Sequence, residues 1–147
     1  MEIVNILVGG LVGTTLMTIF SYVCGQIFSK EFGEPKLLNK LLDRLPSWDH
    51  NVEDRSPIGW ILHITIGIVF AWIIHSYLIW MHQPPVWLMG VTMGFVLGII
   101  GVMGWAILLN FHPSPPKLQL PEFYIQLIVA HIIFGMGVIL VYKFLWE

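Results

Sequence analysis

Four stretches of the chain are apolar almost without interruption, at about 3–28, 57–80, 86–111 and 121–144. Each exceeds the roughly 20 residues that a helix needs to cross the hydrocarbon core of a bilayer. Within them Asn5, Asn110, Glu122 and Lys143 lie near the ends, the few polar positions further in are mainly Ser, Thr, His or Gln, and small residues recur at helical spacing. Between the first two runs the pattern changes. Over 35–45, Leu37, Leu38, Leu41, Leu42 and Leu45 fall on one helical face, with Lys36, Lys40, Asp43 and Arg44 opposite or at its borders. Pro35 suits a first helical turn and Pro46 stops the helix. This segment reads as a short amphipathic helix lying in the headgroup region, with a partner-binding helix as the alternative. The expected fold class is therefore all-α: an integral membrane four-helix bundle with a short interfacial helix between helices one and two, in a single domain over 1–147.

The connections fit this scheme. Met81-His82-Gln83-Pro84-Pro85 is a tight turn that makes its flanking helices antiparallel neighbours. The stretch 110–117 is proline-rich and stiff, and 47–54 is polar and loop-like. Charge sharpens the picture. Only 11% of residues are charged, against about 25% in soluble domains, and none lies between Pro57 and Pro116. Lipid, not water, must be the solvent there. A net charge of −2 argues against nucleic acid as a partner. The single Cys24 forms no internal disulfide. The N-terminal run lacks a basic leader and reads as a retained helix.

Four crossings put both termini on one side of the membrane. Lys30, Lys36, Lys40, Arg44, Arg55 and Lys117 lie in the connections on the other side. The positive-inside rule places that side in the cytoplasm and both termini outside. In a bacterium this is the inner membrane. Tyr142, Lys143 and Trp146 suit an interfacial anchor at the far end.

Two short segments repeat one another: His63 stands four residues before Gly67, and His131 four residues before Gly135. Counting rise per residue from the charged end, His63 lies about 9 Å deep and His131 about 15 Å. Thr18, Ser21 and Cys24 of helix one and Gly98, Gly101 and Gly104 of helix three fall in the same slab. His50 and His112 sit just above it, while His75 and His82 fall toward the other face. The repeated His-x-x-x-Gly also hints at a duplicated hairpin, with the two histidines as symmetry mates.

A buried imidazole needs partners for both nitrogens. In the simplest reading His63 and His131 bond to Thr18, Ser21, Gln126 or a carbonyl and bridge helices. In a second, His63 and His131 hold a b-type haem, with Gly67, Gly135, Gly101 and Gly104 admitting the macrocycle, Thr18 and Ser21 beside it, and Arg55 and Lys117 near the propionates. In a third, a transition metal binds His63, His131, Cys24 and His112, with His50 and Asp49 as further donors. A proton relay or small-molecule path is the fourth. Catalytic residues are not expected: no carboxylate lies inside a membrane run to orient a histidine for hydrolysis. The leading expectation is a cofactor or metal site tied to redox or proton chemistry. The rival is an accessory subunit, or a small transporter component, whose histidines only pack. Glycine stripes further suggest a homo-oligomer or a partner within a membrane complex.

Overall fold

The computed structural model describes residues 2–47 and 51–145. It contains five helices: α1 (Glu2–Phe28), α2 (Glu34–Asp43), α3 (Pro57–Trp80), α4 (Trp87–Phe111) and α5 (Leu120–Leu145). All but α2 are long and apolar enough to cross a membrane. The protein is an all-α integral membrane bundle of four crossings, with the short α2 between the first two. Asp49 and His50, considered above as metal donors, and Trp146, considered as an anchor, lie outside the described residues.

Local chemistry sets the ends. Ser29 takes a left-handed backbone conformation (φ 53°) just after α1, and the Lys30 amide closes back onto the Gly25 carbonyl at 2.9 Å. This reversal returns Phe32, Gly33 and Glu34 toward the bundle. At α3 the Ser56 hydroxyl accepts from the Ile58 amide and Pro57 occupies the first turn, a pairing that satisfies an otherwise orphan donor.

The long helices are not arranged as two equivalent hairpins. α5 is the central element, packed against α4 on one side and α1 on the other, while α3 packs on α1 and α2. The order across the bundle is α3–α1–α5–α4, and α3 and α4 scarcely touch. A pseudo-two-fold that exchanged the hairpins would turn the α1–α5 contact into an α3–α4 contact. The symmetric arrangement hinted at by the repeated His-x-x-x-Gly is therefore not realised, although each histidine does face its own hairpin partner.

Glycines decide how closely the helices approach. A Cβ on Gly94 would lie 2.5 Å from the His131 carbonyl oxygen, and one on Gly90 2.9 Å from that of Gly135. Gly135 presses in turn on the Gly90 carbonyl, and Gly67 on the Thr14 hydroxyl. Backbone contact of this kind is the usual purpose of small-residue stripes in lipid. The stripe Gly90, Gly94 and Gly98 is covered by α5 of the same chain, so it supplies no basis for an oligomer.

The charged end is closed by α2. Its Leu37 and Leu41 are buried with Phe32, Trp105, Leu109, Phe123 and Leu127. The apolar face of this interfacial helix thus rests on the bundle. Asn39 clamps it to α3: its amide donates to the Asp54 and Ser56 carbonyls at 3.1 and 2.8 Å, and its oxygen accepts from the Gly59 amide at 2.8 Å. At the other edge His112, just after α4, donates from Nε2 to the Leu41 carbonyl at 2.8 Å. Lys36 and Lys40 both pair with Glu31 and reach Asp54. Burial alone would raise the Glu31 carboxyl, but these ammonium groups hold it below the usual range. Lys30 and Glu122 join the end of α1 to the start of α5 at 3.1 Å.

Candidate functional site

Because α3 and α4 stand apart, a cavity of about 200 Å³ lies between them, beneath α2. Its walls include Ile66 and Phe70 of α3, Ile100, Gly101, Gly104, Trp105 and Leu108 of α4, and Leu127 of α5. Its polar lining is Glu34, His63 and His131, one residue from each of α2, α3 and α5. Ile66 and Ile100 are about half exposed on the outer surface, so the rim between α3 and α4 faces lipid.

Each histidine spends one nitrogen on structure. His63 Nε2 lies 3.1 Å from Thr18 Oγ1. The Thr18 hydroxyl has one proton and donates it to the Thr14 carbonyl at 2.7 Å. His63 must therefore be the donor, which fixes the proton on Nε2 and leaves Nδ1 bare. His131 Nδ1 lies 2.8 Å from the Leu127 carbonyl oxygen, which only accepts. The proton is on Nδ1 and the lone pair on Nε2. That ring stacks obliquely on Phe70, 5.8 Å between centroids, and abuts Gly101, where an added Cβ would lie 3.0 Å from Nε2.

Glu34 was not among the site residues expected from the sequence, where it counted as one of the charges in the first connection. It is completely buried. Its Oε1 lies 2.7 Å from Ser21 Oγ, and its Oε2 has no hydrogen-bond partner among the described residues. Ser21 Oγ also accepts from Gln126 Nε2 at 2.6 Å and lies 3.0 Å from the Met17 carbonyl. A neutral Glu34 completes this set: its O–H donates to Ser21, and Ser21 donates to Met17. An ionised Glu34 instead takes the serine proton and leaves a charge in an apolar shell. Burial accordingly lifts its pKa from 4.5 to about 7, while hydrogen bonds from Ser21 and Gln126 hold it from rising further. The sequence reading found no carboxylate inside a membrane run to set beside the histidines; α2, outside those runs, nevertheless carries Glu34 into the wall of the cavity that they line. The signal was legible, because Glu34 occupies the same stripe as Leu37, Leu38 and Leu41, at i, i+3, i+4 and i+7.

The other expected site residues separate into groups. Thr18 and Ser21 stand directly behind His63 and Glu34. Gly101 and Gly104 line the cavity, and nothing lies within 4 Å of a Cβ added at Gly104. Gly67 and Gly135 instead serve helix contacts. Cys24 lines a different crevice with Phe20, Phe28 and Val129. Both nitrogens of His112 are engaged, Nε2 by Leu41 and Nδ1 by the Ser114 amide. Among the described residues, no three His, Cys, Asp or Glu side chains are grouped to hold a metal ion. The set His63, His131, Cys24 and His112 does not come together. For the haem expected on His63 and His131, the cavity of about 200 Å³ lies below the roughly 300–1,000 Å³ of pockets for drug-sized ligands. His75, on the far side, stacks edge-on with Tyr142 at 5.7 Å.

The chain matches no protein-family model, no curated protein and no solved structure.

Proposed function

We propose that this protein binds a small guest in the cavity beneath α2, and that the guest is a cation or a hydrogen-bond donor. One observation carries the reading. Of the polar atoms on the residues lining the cavity, Glu34 Oε2 is buried without a partner among the described residues, and His63 Nδ1 and His131 Nε2 are the nitrogens left bare by the bonds of the other ring nitrogen; all three are acceptors whether Glu34 is ionised or neutral. The buried, unpartnered Glu34 Oε2 carries a desolvation cost, which a guest with N–H, O–H or positive charge relieves, and such a guest also bonds the imidazole lone pairs. Glu34 and the two imidazoles then exchange protons with the guest or with one another, the chemistry of a proton-linked binding site rather than of a redox centre. In this reading the charged end, which holds most of the lysines and arginines, faces the cytoplasm, and the membrane is a bacterial inner membrane.

The test uses full-length protein in nanodiscs, titrated separately with Zn²⁺, ammonium and a neutral phenol. ¹⁵N resonances of the imidazoles and proton release into weak buffer are followed. At least one probe is expected to move the bare-nitrogen signals of His63 and His131 and to change the number of bound protons. Imidazole signals that ignore all three probes would assign the histidines to helix packing alone.

A further inference from the structure

The way into the cavity narrows what the guest is. On the aqueous side α2 is clamped at both edges, by Asn39 to α3 and by His112 to the Leu41 carbonyl. Pro35 and Gly59 are in such close backbone contact that no side chain fits between them. On the lipid side α3 and α4 stand apart, and the rim residues Ile66, Ile100 and Leu108 are about half exposed to the surroundings of the bundle. A guest therefore enters from the bilayer, and must be soluble in it. The walls are apolar and partly aromatic, through Phe70 and Trp105. On the α4 side they are flat, because Gly101 and Gly104 present no side chain and the space beside Gly104 is open.

We infer that the guest is a lipid-soluble phenol or hydroquinone, seated between α3 and α4 with its hydroxyls donating to His63 Nδ1 and His131 Nε2. This rests on the donor-accepting cavity proposed above and names its occupant. A hydroquinone head is flat, small and neutral. Its O–H groups supply the two donors that the fixed imidazole tautomers lack, and its ring stacks on apolar and aromatic walls. A metal ion fits less well, because three ligating side chains are not grouped among the described residues. A permanent cation fits less well too, because it has no O–H or N–H to donate to the two bare imidazole nitrogens. The step proposed is binding alone: no bond breaks and no electron moves.

The decisive comparison is between tetramethylhydroquinone, kept reduced with ascorbate, and its dimethyl ether, which has the same ring and no O–H. Full-length protein in nanodiscs is titrated with each while the imidazole ¹⁵N signals are recorded. The hydroquinone is expected to move both bare-nitrogen signals, and the ether to bind at least about tenfold more weakly, the effect of losing one to two hydrogen bonds. Gly104→Leu places a side chain in open space, so the bundle folds, and it is expected to abolish hydroquinone binding. Equal binding of the ether overturns the inference, as does undiminished binding by the leucine variant. If the hydroquinone leaves the imidazoles unmoved while Zn²⁺ or ammonium shifts them, the hydroquinone inference fails and the broader reading stands. If none of the three moves them, both fail together.

Discussion

Replacing Glu34 by glutamine separates a buried carboxyl from a surface one by a pH measurement. The side chain keeps its size, and its amide donates to Ser21 as the neutral acid does. What it loses is the ability to ionise. In the native protein the pKa of Glu34 is raised by burial from 4.5 to about 7. Below pH 4.5 folded and unfolded chains both hold the proton, and the residue has no pH-dependent effect. Between 4.5 and about 7 the unfolded chain gives up its proton first, so native stability falls by about 1.4 kcal/mol for each pH unit. Above that window the accumulated penalty is constant at about 3 kcal/mol. Unfolding in mixed micelles, followed by tryptophan fluorescence across the same window, compares wild type with Glu34→Gln. Groups remote from Glu34 contribute equally to both proteins and cancel in the difference. The variant is expected to gain about 3 kcal/mol relative to wild type as pH rises. A difference that stays flat would mean that Glu34 is solvated and that α2 does not cover the cavity.

Further outcomes follow from the same contacts. Gly135→Ala drives a methyl group into the backbone of Gly90 and Gly94 and is expected to cost about 1–3 kcal/mol, whereas Gly104→Ala meets nothing within 4 Å and should gain up to about 1 kcal/mol of helix propensity; thermal melts in the reverse order would refute the α4–α5 packing. Asn39→Ala removes two donors and one acceptor that hold α2 to α3. Hydrogen exchange at the Gly59 amide should quicken at least about tenfold, since each bond contributes about 1 kcal/mol, and an unchanged rate would show that the clamp is not formed. Arg44→Cys in a Cys24→Ser background should react with an impermeant maleimide only from the cytoplasmic side. Labelling from outside intact cells would reverse the proposed orientation.

The four crossings were legible because lipid as solvent removes charge from long stretches, and such stretches are hard to mistake. The level of the two histidines was legible from helical rise alone, and the Thr18–His63 bond and the shared cavity agree with it. The order of helices was not. When nearly every face of a helix is apolar, periodicity does not tell a protein-facing side from a lipid-facing one, so the central place of α5 and the gap between α3 and α4 could not be read. The glycines show the same limit: Gly94 and Gly104 look alike in the sequence, yet one is jammed against backbone and the other faces open space. Glu34 was missed for a different reason. It was read with the charged connection around it, when its position in the leucine stripe of α2 placed it on the buried face.

The tautomers of His63 and His131 test the site most directly. In ¹⁵N-histidine spectra of the full-length protein in nanodiscs, assigned through His63→Phe and His131→Phe, the geometry predicts a proton on Nε2 of His63 and on Nδ1 of His131, each with the other nitrogen bare. The opposite tautomer at either residue, or two protonated nitrogens on both rings at neutral pH, would contradict the acceptor-lined cavity and the function built on it.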